Sequence, residues 1–329
     1  MAVLVCGGAG YIGSHCVAAL LDKNEEVVVV DNLQTGYKNA VHSKAKLYQG
    51  DIKDRAILEK IFLENNIDAV IHFAANSLVG VSMTEPLAYY DNNVYGSIVL
   101  LETMVKHNIK KIVFSSTAAV YGEPQNIPIL ETDPTIPTNP YGETKLAVEK
   151  MMKWADKAHG LKHIVFRYFN VGGAHQSGAI GEAHNPETHL IPLILQVPLS
   201  QRDCITVFGT DYDTPDGTCI RDYIHVMDLV EAHLLALQKL RTGADSNVYN
   251  LGNGEGFSVM EMIEAARRVT KHPIPALYSD RRAGDPSRLI ASSKKAQQEL
   301  GWKPSFTKIE DIIESAWKWH KGNPEGYVK

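Results

Sequence analysis

Short apolar runs alternate with longer segments whose apolar residues recur every three or four positions in the first half of the chain. A continuous apolar run of strand length is typical of a strand buried on both faces, and the longer period is typical of a helix. The runs predict strands at 2–6, 27–30, 46–49, 69–73, 111–115 and 164–168. The longer segments predict helices ending near residue 23 and at 55–65, 87–107 and 141–159. Repeated strand–helix units predict an α/β fold with a doubly wound parallel sheet.

The pattern changes after Asn170. Residues 172–189 are rich in Gly, His and Asn with little periodicity, which is typical of a functional loop. Predicted strands follow at 205–208, 223–226 and 247–251, and predicted helices at 227–241, 258–269, 292–300 and 309–319. We therefore expect a first domain of residues 1–170 and a smaller α/β lobe of residues 171–329, with some of the lobe packing back on the first domain.

A glycine-rich turn, Gly7-Gly8-Ala9-Gly10-Tyr11-Ile12-Gly13, separates the first strand from the first helix, and the next strand ends at Asp31. Strand, glycine turn, helix, strand and acid form the dinucleotide-binding unit of a Rossmann fold. The pyrophosphate rests on the helix N-terminus, where free N–H groups favour anions. Asp31 can accept hydrogen bonds from ribose hydroxyls, and its charge disfavours a 2′-phosphate. The sequence therefore predicts NAD rather than NADP.

The segment Asn139-Pro140-Tyr141 predicts a helix start, which places Lys145 one turn after Tyr141 on the same face. An ammonium group near a phenol favours the phenolate, so we expect Lys145 to lower a pKa that is ordinarily about 10. Taken alone, this spacing more often marks an ordinary surface pair. Because strand ends meet at one edge of a parallel sheet, Thr117 should join the pair beside the glycine turn, and together they predict a proton-transfer site.

Composition narrows the class of protein. The chain has 329 residues, of which 44% are hydrophobic and 22% charged, as in ordinary globular proteins, and a net charge of −5, which argues against a nucleic-acid surface. The four cysteines are scattered without metal-ligand spacing, so we expect thiols and no metal site. No apolar run approaches the roughly 20 residues of a membrane span, and no signal peptide is recognised. We expect a cytoplasmic protein.

With these motifs the chain resembles the extended short-chain dehydrogenase/reductase family, nearest to members that epimerise UDP-hexoses at carbon 4. The likeness covers essentially the whole chain, and its most specific stretch is residues 217–226. The resemblance implies a homodimer built on the helices at 87–107 and 141–159. It implies NAD contacts at Gly7, Gly10, Tyr11, Ile12, Gly13, Asp31, Asn32, Asp51, Ile52, Phe73, Ala74, Ala75, Asn92, Thr117, Tyr141, Lys145 and Phe169. It implies UDP-sugar contacts at Thr117, Tyr141, Asn170, His189, Leu190, Thr206, Phe208, Arg221, Arg282, Asp285 and Leu289.

Some of these contacts are also expected from the chemistry of the side chains, independently of the family resemblance. Arg221 and Arg282 offer planar forks suited to a diphosphate, and Asp285 can accept from ribose hydroxyls. Other positions depart from the family's usual residues: Ser77 stands where many members have lysine, and Thr117 where Ser is common. His189 stands where Asn is frequent, either to bond the diphosphate or simply to begin a helix.

The resemblance implies a reaction of galactose metabolism in which Tyr141, Lys145 and Thr117 are catalytic. Tyr141 removes the proton of the sugar O4 while C4 gives hydride to NAD, and the 4-keto sugar then turns and takes the hydride back. A sugar-nucleotide 4,6-dehydratase is disfavoured because Ala118-Ala119 stand where such relatives carry an Asp-Glu pair. A non-catalytic NAD-binding sensor and a net NAD-dependent sugar-nucleotide dehydrogenase remain alternatives.

The range of hexoses depends on Leu289, four residues after Asp285. In the family this position flanks the C2 substituent of the sugar, where a bulky Tyr favours plain hexoses and a small residue admits N-acetylhexosamines. Leu289 is smaller than Tyr, so we expect activity on UDP-N-acetylglucosamine as well. The alternative is that Leu289 is a core residue of a short strand.

Overall fold

The computed structural model describes residues 1–281 and 286–327, and its elements follow the alternation seen in the sequence. The strands are β1 (Ala2–Cys6), β2 (Glu26–Asp31), β3 (Lys46–Gln49), β4 (Ile67–His72), β5 (Lys111–Ser115), β6 (Lys162–Tyr168), β7 (Asn170–Gly172), β8 (Ile205–Phe208), β9 (Ile220–Arg221), β10 (Tyr223–His225), β11 (Asn247–Leu251), β12 (Phe257–Ser258), β13 (Ala276–Ser279) and β14 (Arg288–Leu289). The helices are α1 (Tyr11–Asp22), α2 (Arg55–Glu64), α3 (Val79–Thr84), α4 (Pro86–Tyr89), α5 (Gly96–Lys106), α6 (Pro140–His159), α7 (Leu190–Leu195), α8 (Val226–Arg241), α9 (Val259–Thr270), α10 (Lys294–Leu300) and α11 (Ile309–Gly322).

A seven-stranded parallel sheet has the order β11-β6-β5-β4-β1-β2-β3. The predicted doubly wound α/β fold is therefore confirmed. Strands β2 and β3 lie on one side of β1, and β4, β5 and β6 lie on the other, so the chain order reverses beside β1. Open parallel sheets bind ligands outside the carboxyl ends of the strands at such a reversal.

Side chains of β1 alternate between two cores, one on each face of the sheet. Val3 and Val5 belong to a buried cluster with residues of α1 and α8, whereas Leu4 and Cys6 belong to a second cluster with residues of α2, α5 and α6. Successive strand residues point to opposite faces, and here helices cover both faces. This double burial explains why the first strand is a continuous apolar run.

Local signals set the ends of α6. Asn139 caps its start, because the side-chain oxygen accepts a hydrogen bond from the Gly142 N–H at 2.9 Å. Pro140 takes the first helical position, where a missing N–H costs nothing. The helix ends at Gly160, whose φ of 67° is left-handed. Tyr141 therefore lies in the first turn, as predicted.

The segment predicted as one helix at 87–107 is helical throughout, but it is not a single α-helix. It consists of α4, a π-helical segment at Tyr90–Tyr95, and α5. In the π-helical segment the Asn93 side chain accepts from the Asn76 N–H at 2.8 Å and donates to the Thr144 hydroxyl at 3.0 Å. These bonds reach the loop after β4 and helix α6, so local periodicity does not reveal them. Such segments are frequent at functional sites.

Most elements after Asn170 are short and lie in small sheets. Strand β7 pairs with β10, β9 lies between β12 and β14, and β8 pairs with β13, whereas β11 joins the main sheet beside β6. Helices α7, α9 and α11 share a third buried cluster. The strands β9, β12 and β14 have two residues each, which is too short for a periodic pattern. Of these, only β14 was foreseen, as the alternative of a short strand at Leu289.

Over the ranges that the structure describes, no helix is both long and apolar enough to cross a bilayer. Among the described residues, Cys6, Cys16, Cys204 and Cys219 form no disulfide bond. Burial raises the pKa of the Cys6 and Cys16 thiols, so these two are packing residues with little thiolate character.

Candidate active site

A cleft of about 740 Å³ opens along the carboxyl edge of the sheet. All the residues predicted to contact NAD line this cleft, from Gly7 in the glycine turn to Phe169 after β6. Of the predicted UDP-sugar residues, the lining includes Thr117, Tyr141, Asn170, His189, Leu190, Thr206, Phe208 and Arg221. Leu289 is not part of this lining among the described residues, and Arg282 and Asp285 lie outside the described residues.

The glycine turn lets the end of β1 and the start of α1 pack against each other at van der Waals distance. Gly7 has a φ of 82°, and a Cβ on it would stand 2.7 Å from the Ala74 nitrogen. A Cβ on Gly13 would collide with the carbonyl oxygen of Gly7. Real Cβ atoms do not approach other atoms so closely, so the fold itself requires glycine at both positions.

Gly10 is not constrained in this way. Its φ is −77°, and a Cβ there would meet only the Gly7 oxygen, at 3.4 Å. Gly10 precedes α1 without a side-chain cap, and the first turn of α1 carries no acidic residue. The N–H groups at a helix start lack intrahelical partners and favour an anion. Because Gly10 also lines the cleft, this cradle fits a pyrophosphate at the start of α1.

Asp31 ends β2 with its carboxylate already oriented. One oxygen accepts from the Ala9 N–H at 2.9 Å and the other from the Leu33 N–H at 2.8 Å. Burial raises the pKa of Asp31, and these two bonds lower it. A carboxylate has about four acceptor sites, so capacity remains for ribose hydroxyls in the cleft.

Thr117 and Tyr141 come from different elements and meet in the cleft. Thr117 follows β5, and its hydroxyl oxygen accepts from the Ala119 N–H at 3.1 Å, which caps a 3-10 turn at Ala118–Tyr121. The Thr117 hydroxyl lies near enough to the Tyr141 phenol to affect its pKa. Tyr141 is placed by α6, so the pair depends on the packing of α6 against the end of β5.

Burial raises the pKa of Tyr141 to about 12, although the nearby Thr117 hydroxyl acts to lower it. The Lys145 Nζ lies 6.0 Å from the Tyr141 ring centroid and donates to the Ser115 carbonyl at 2.7 Å. The expectation that Lys145 would lower the phenol pKa is therefore wrong for these side chains alone. Desolvation of the phenol outweighs the nearby amine, which faces a backbone carbonyl. A phenolate at neutral pH needs further positive charge in the cleft.

The surroundings of Lys145 also shift the pKa of its amine. Burial lowers the pKa of its amine to about 7, while attraction to Glu149 raises it. Glu149 follows one turn later on α6 and binds Arg167 through two bonds, Nη2 to Oε2 at 2.6 Å and Nε to Oε1 at 3.1 Å. The Ser116 hydroxyl donates to the same carboxylate at 2.5 Å. Glu149 was missed in the sequence, although an acid four residues after Lys145 was a usable signal.

Asp222 organises the opposite side of the cleft, and this role was also missed. Its backbone N–H donates to the Leu289 carbonyl at 2.9 Å, and its carbonyl accepts from the Asn170 N–H at 3.1 Å. Burial raises the pKa of its carboxyl to about 6. Its carboxylate accepts from the backbone N–H groups of Asn253 at 2.6 Å, Gly254 at 3.2 Å and Ala291 at 3.0 Å. The neighbouring Arg221 is thereby fixed beside the cleft.

Leu289 lies behind the cleft wall. It ends β14, pairs with Arg221, and is half-buried with Phe169 against a small apolar cluster. The residues of that cluster are Val120, Tyr121, Ile129 and Leu146. Leu289 therefore has the position of a strand core residue, and Phe169 connects it to the ligand space. His189 immediately precedes α7 without a side-chain cap and also lines the cleft.

The fold, the glycine cradle with its acid, and the Thr117–Tyr141 pair beside Lys145 define a dinucleotide-dependent enzyme of the short-chain dehydrogenase/reductase class. The chain matches the NAD dependent epimerase/dehydratase family over residues 3–252, and it belongs to that family.

Its relatives match along the whole chain. UDP-glucose 4-epimerase of Halalkalibacterium halodurans is 59% identical, over 99% of this chain and 98% of the relative. A crystal structure of UDP-glucose 4-epimerase superposes with a TM-score of 0.99 at 59% identity, covering 100% of both chains. The Bifidobacterium longum UDP-glucose 4-epimerase, in complex with NAD+ and UDP, has a TM-score of 0.93 at 42% identity, over 99% of this chain and 100% of the other.

The glycine turn generates a test that separates folding from ligand binding. Gly13→Ala should destabilise the protein by about 3 kcal/mol, the upper end for overpacking, because its Cβ has no room. Gly10→Ala should cost less than about 1 kcal/mol of stability. It should nevertheless weaken NAD binding by about tenfold or more, since the new methyl occupies the cradle. Urea unfolding and NAD titration measure the two effects, and unchanged NAD affinity in Gly10→Ala would contradict the assignment of the cradle.

Proposed function

We propose that this protein is an NAD-dependent enzyme that inverts carbon 4 of UDP-linked hexoses and so interconverts UDP-glucose and UDP-galactose in galactose metabolism. The observation that carries the proposal is the placement of Thr117, Tyr141 and Lys145 in the same cleft as the nucleotide cradle. The full-length match to relatives named UDP-glucose 4-epimerase supports the substrate class.

NAD would be held by the glycine turn at its pyrophosphate and by Asp31 at its adenosine ribose. When bound, NAD supplies an acceptor for hydride from carbon 4 of the hexose and a donor for its return. Thr117 and Tyr141 face this space from the ends of β5 and α6, and Lys145 lies one turn beyond Tyr141.

Tyr141 is the proposed base and acid at the sugar O4. With a pKa of about 12 it holds its proton at neutral pH, so it acts as a base only when added positive charge in the cleft lowers that pKa. Thr117 lines the cleft beside Tyr141, and its hydroxyl can bond O4, because a hydroxyl both donates and accepts. Tyr141 returns the proton when the hydride returns, which leaves no net oxidation.

Inversion also requires one end of the substrate to be held while the other turns. Arg221 is fixed by the Asp222 network and presents a planar fork suited to a diphosphate. We assign Arg282 and Asp285 to the UDP group on the sequence motif alone. With the UDP end held, the 4-keto hexose can turn in the cleft and receive hydride on its other face.

Dehydration is disfavoured by the side chains available. A 4,6-dehydratase needs an acid and a base beyond the Thr–Tyr pair, whereas Ala118 and Ala119 follow Thr117 here. A net dehydrogenase would consume added NAD and accumulate NADH, and an epimerase would do neither. Incubation with UDP-galactose without added cofactor separates the two.

We further propose a homodimer in the cytoplasm. Leu87 on α4 and Trp154 on α6 are 81% and 66% exposed, as expected if these helices pair with a second copy. The lack of a disulfide bond among the four cysteines in the described residues agrees with a reducing compartment. Light scattering of the purified protein checks the dimer, and cell fractionation checks the compartment.

The role of Tyr141 is tested by removing its hydroxyl. Tyr141→Phe should keep the fold and bound NAD while turnover of UDP-galactose falls by about 10²–10⁴-fold, the usual cost of losing a positioned acid–base group. Tyr90→Phe is a matched control, because Tyr90 is 42% exposed in the π-helical segment, and it should retain wild-type turnover. Near-normal turnover in Tyr141→Phe would remove it as the base.

The hexose range is tested at Leu289. We expect measurable activity on UDP-N-acetylglucosamine, and Leu289→Tyr should depress it far more than activity on UDP-galactose. The added ring would crowd Phe169 and the C2 side of the cleft, and overpacking costs about 1–3 kcal/mol. Leu289→Met, which conserves volume, serves as the control. Wild-type protein that leaves UDP-N-acetylglucosamine untouched at high enzyme concentration would contradict this role for Leu289.

A further inference from the structure

The loop between β7 and α7 gathers two histidines and two glutamates at one point. These residues are Glu182, His184, Glu187 and His189, and one donor atom from each lies within 4.8 Å of the others. Three of the four, Glu182, His184 and His189, also line the cleft. Of these residues only His189 was predicted to contact the UDP-sugar, and no proton or hydride transfer of the proposed epimerisation uses the cluster.

The distances inside the cluster match those of a metal site. The His184 Nδ1 is 3.4 Å from a carboxylate oxygen of Glu182 and 3.4 Å from one of Glu187. The His189 Nδ1 is 3.2 Å from Glu182 and 3.0 Å from Glu187. Around a tetrahedral zinc ion with bonds of about 2.0–2.1 Å, neighbouring donor atoms stand roughly 3.3–3.5 Å apart. The histidine–carboxylate pairs are therefore already near the spacing of ligands around one ion, and the remaining donor pairs lie within 4.8 Å.

The burial of the two carboxylates and of one histidine nitrogen is a second, separate reason to expect a bound cation. The Glu182 side chain is 5% exposed and that of Glu187 is 8% exposed, so two carboxylates share a site with little water. The His184 Nδ1 is buried without a hydrogen-bond partner, although it lies between these carboxylates. Buried charges are normally paired or coordinate metals, and an unpartnered buried nitrogen is costly. A cation among the four donors would give this nitrogen a partner and would add to the hydrogen bonds that Glu187 already accepts from the Thr188 and His189 N–H groups.

The donor set indicates which cation. Two imidazole nitrogens and two carboxylate oxygens suit zinc and related divalent transition metals, whereas magnesium and calcium prefer oxygen ligands alone. We propose that Glu182, His184, Glu187 and His189 bind a zinc-class divalent cation at the rim of the cleft. The bound ion would join the loop after β7 to the start of α7, whose Leu190 lines the cleft.

The experiment uses untagged full-length protein stripped with a chelator. Zinc chloride is added, and bound zinc per chain is measured by mass spectrometry after gel filtration, together with the thermal unfolding midpoint. Wild-type protein should hold about one zinc per chain and unfold at a higher temperature with zinc than without it. Magnesium chloride at the same concentration should do neither.

Two variants locate the zinc. His184→Ala should weaken zinc binding by about tenfold or more, since even outer-shell changes cost that much at metal sites. His159→Ala removes an exposed histidine at the end of α6 and should bind zinc as wild type does. In the stripped state both variants should unfold close to stripped wild type, which separates lost binding from lost folding.

Two outcomes would overturn the site. One is wild-type protein that retains no zinc at micromolar concentration, which would leave the cluster as an ion-pair network of His189 with Glu187. The other is equal zinc binding by wild type and His184→Ala, which would place the metal elsewhere on a chain with 13 histidines. Neither outcome bears on the proton and hydride transfers of the proposed reaction, because none of them uses the cluster.

Discussion

The absence of a side chain at Gly7 and Gly13 is the constraint on which the rest of the site depends. It lets α1 start directly against the end of β1. It also leaves room for the segment after β4, whose Phe73 and Ala74 N–H groups both donate to the Cys6 carbonyl, at 2.9 and 3.0 Å. Because β1 lies where the strand order reverses, this crossing also sets the position of the cleft. The nucleotide cradle and the proton-transfer pair share one edge for that reason.

Burial decides the electrostatics of the reacting groups. It raises the pKa of Tyr141 and lowers that of Lys145, and both directions favour the neutral form. Glu149 opposes the effect on Lys145 while pairing with Arg167 in the interior. Removing one partner of a buried ion pair of this kind usually destabilises a protein by about 3–5 kcal/mol. The Glu149 carboxylate therefore stabilises the fold and also influences the charge of Lys145. The positive charge of a bound ligand could then lower the pKa of Tyr141.

The far wall of the cleft is held together by side-chain hydrogen bonds rather than by a long sheet. It is built from strands of two or three residues that could not stand alone, and the buried Asp222 carboxylate joins them by accepting backbone N–H groups from separate segments. A buried carboxylate is stable there because its hydrogen bonds replace water. The arrangement holds Arg221 beside the cleft without extended secondary structure.

The sequence by itself determined the strands of the first half, most of its helices, the glycine cradle, and the positions of Tyr141 and Lys145, because periodicity, helix caps and turn glycines are local properties. It did not predict α3 or the π-helical segment between α4 and α5. It also predicted that Thr117, Tyr141 and Lys145 lie beside the glycine turn, since strand ends of a parallel sheet must meet, whereas the full set of cleft residues was implied by the family resemblance. Only the tertiary structure decided the pKa of Tyr141, the partners of Glu149, the role of Asp222 and the cluster around Glu182. These depend on which distant segments exclude water from a side chain, and that is a sum over long-range contacts that no local pattern contains.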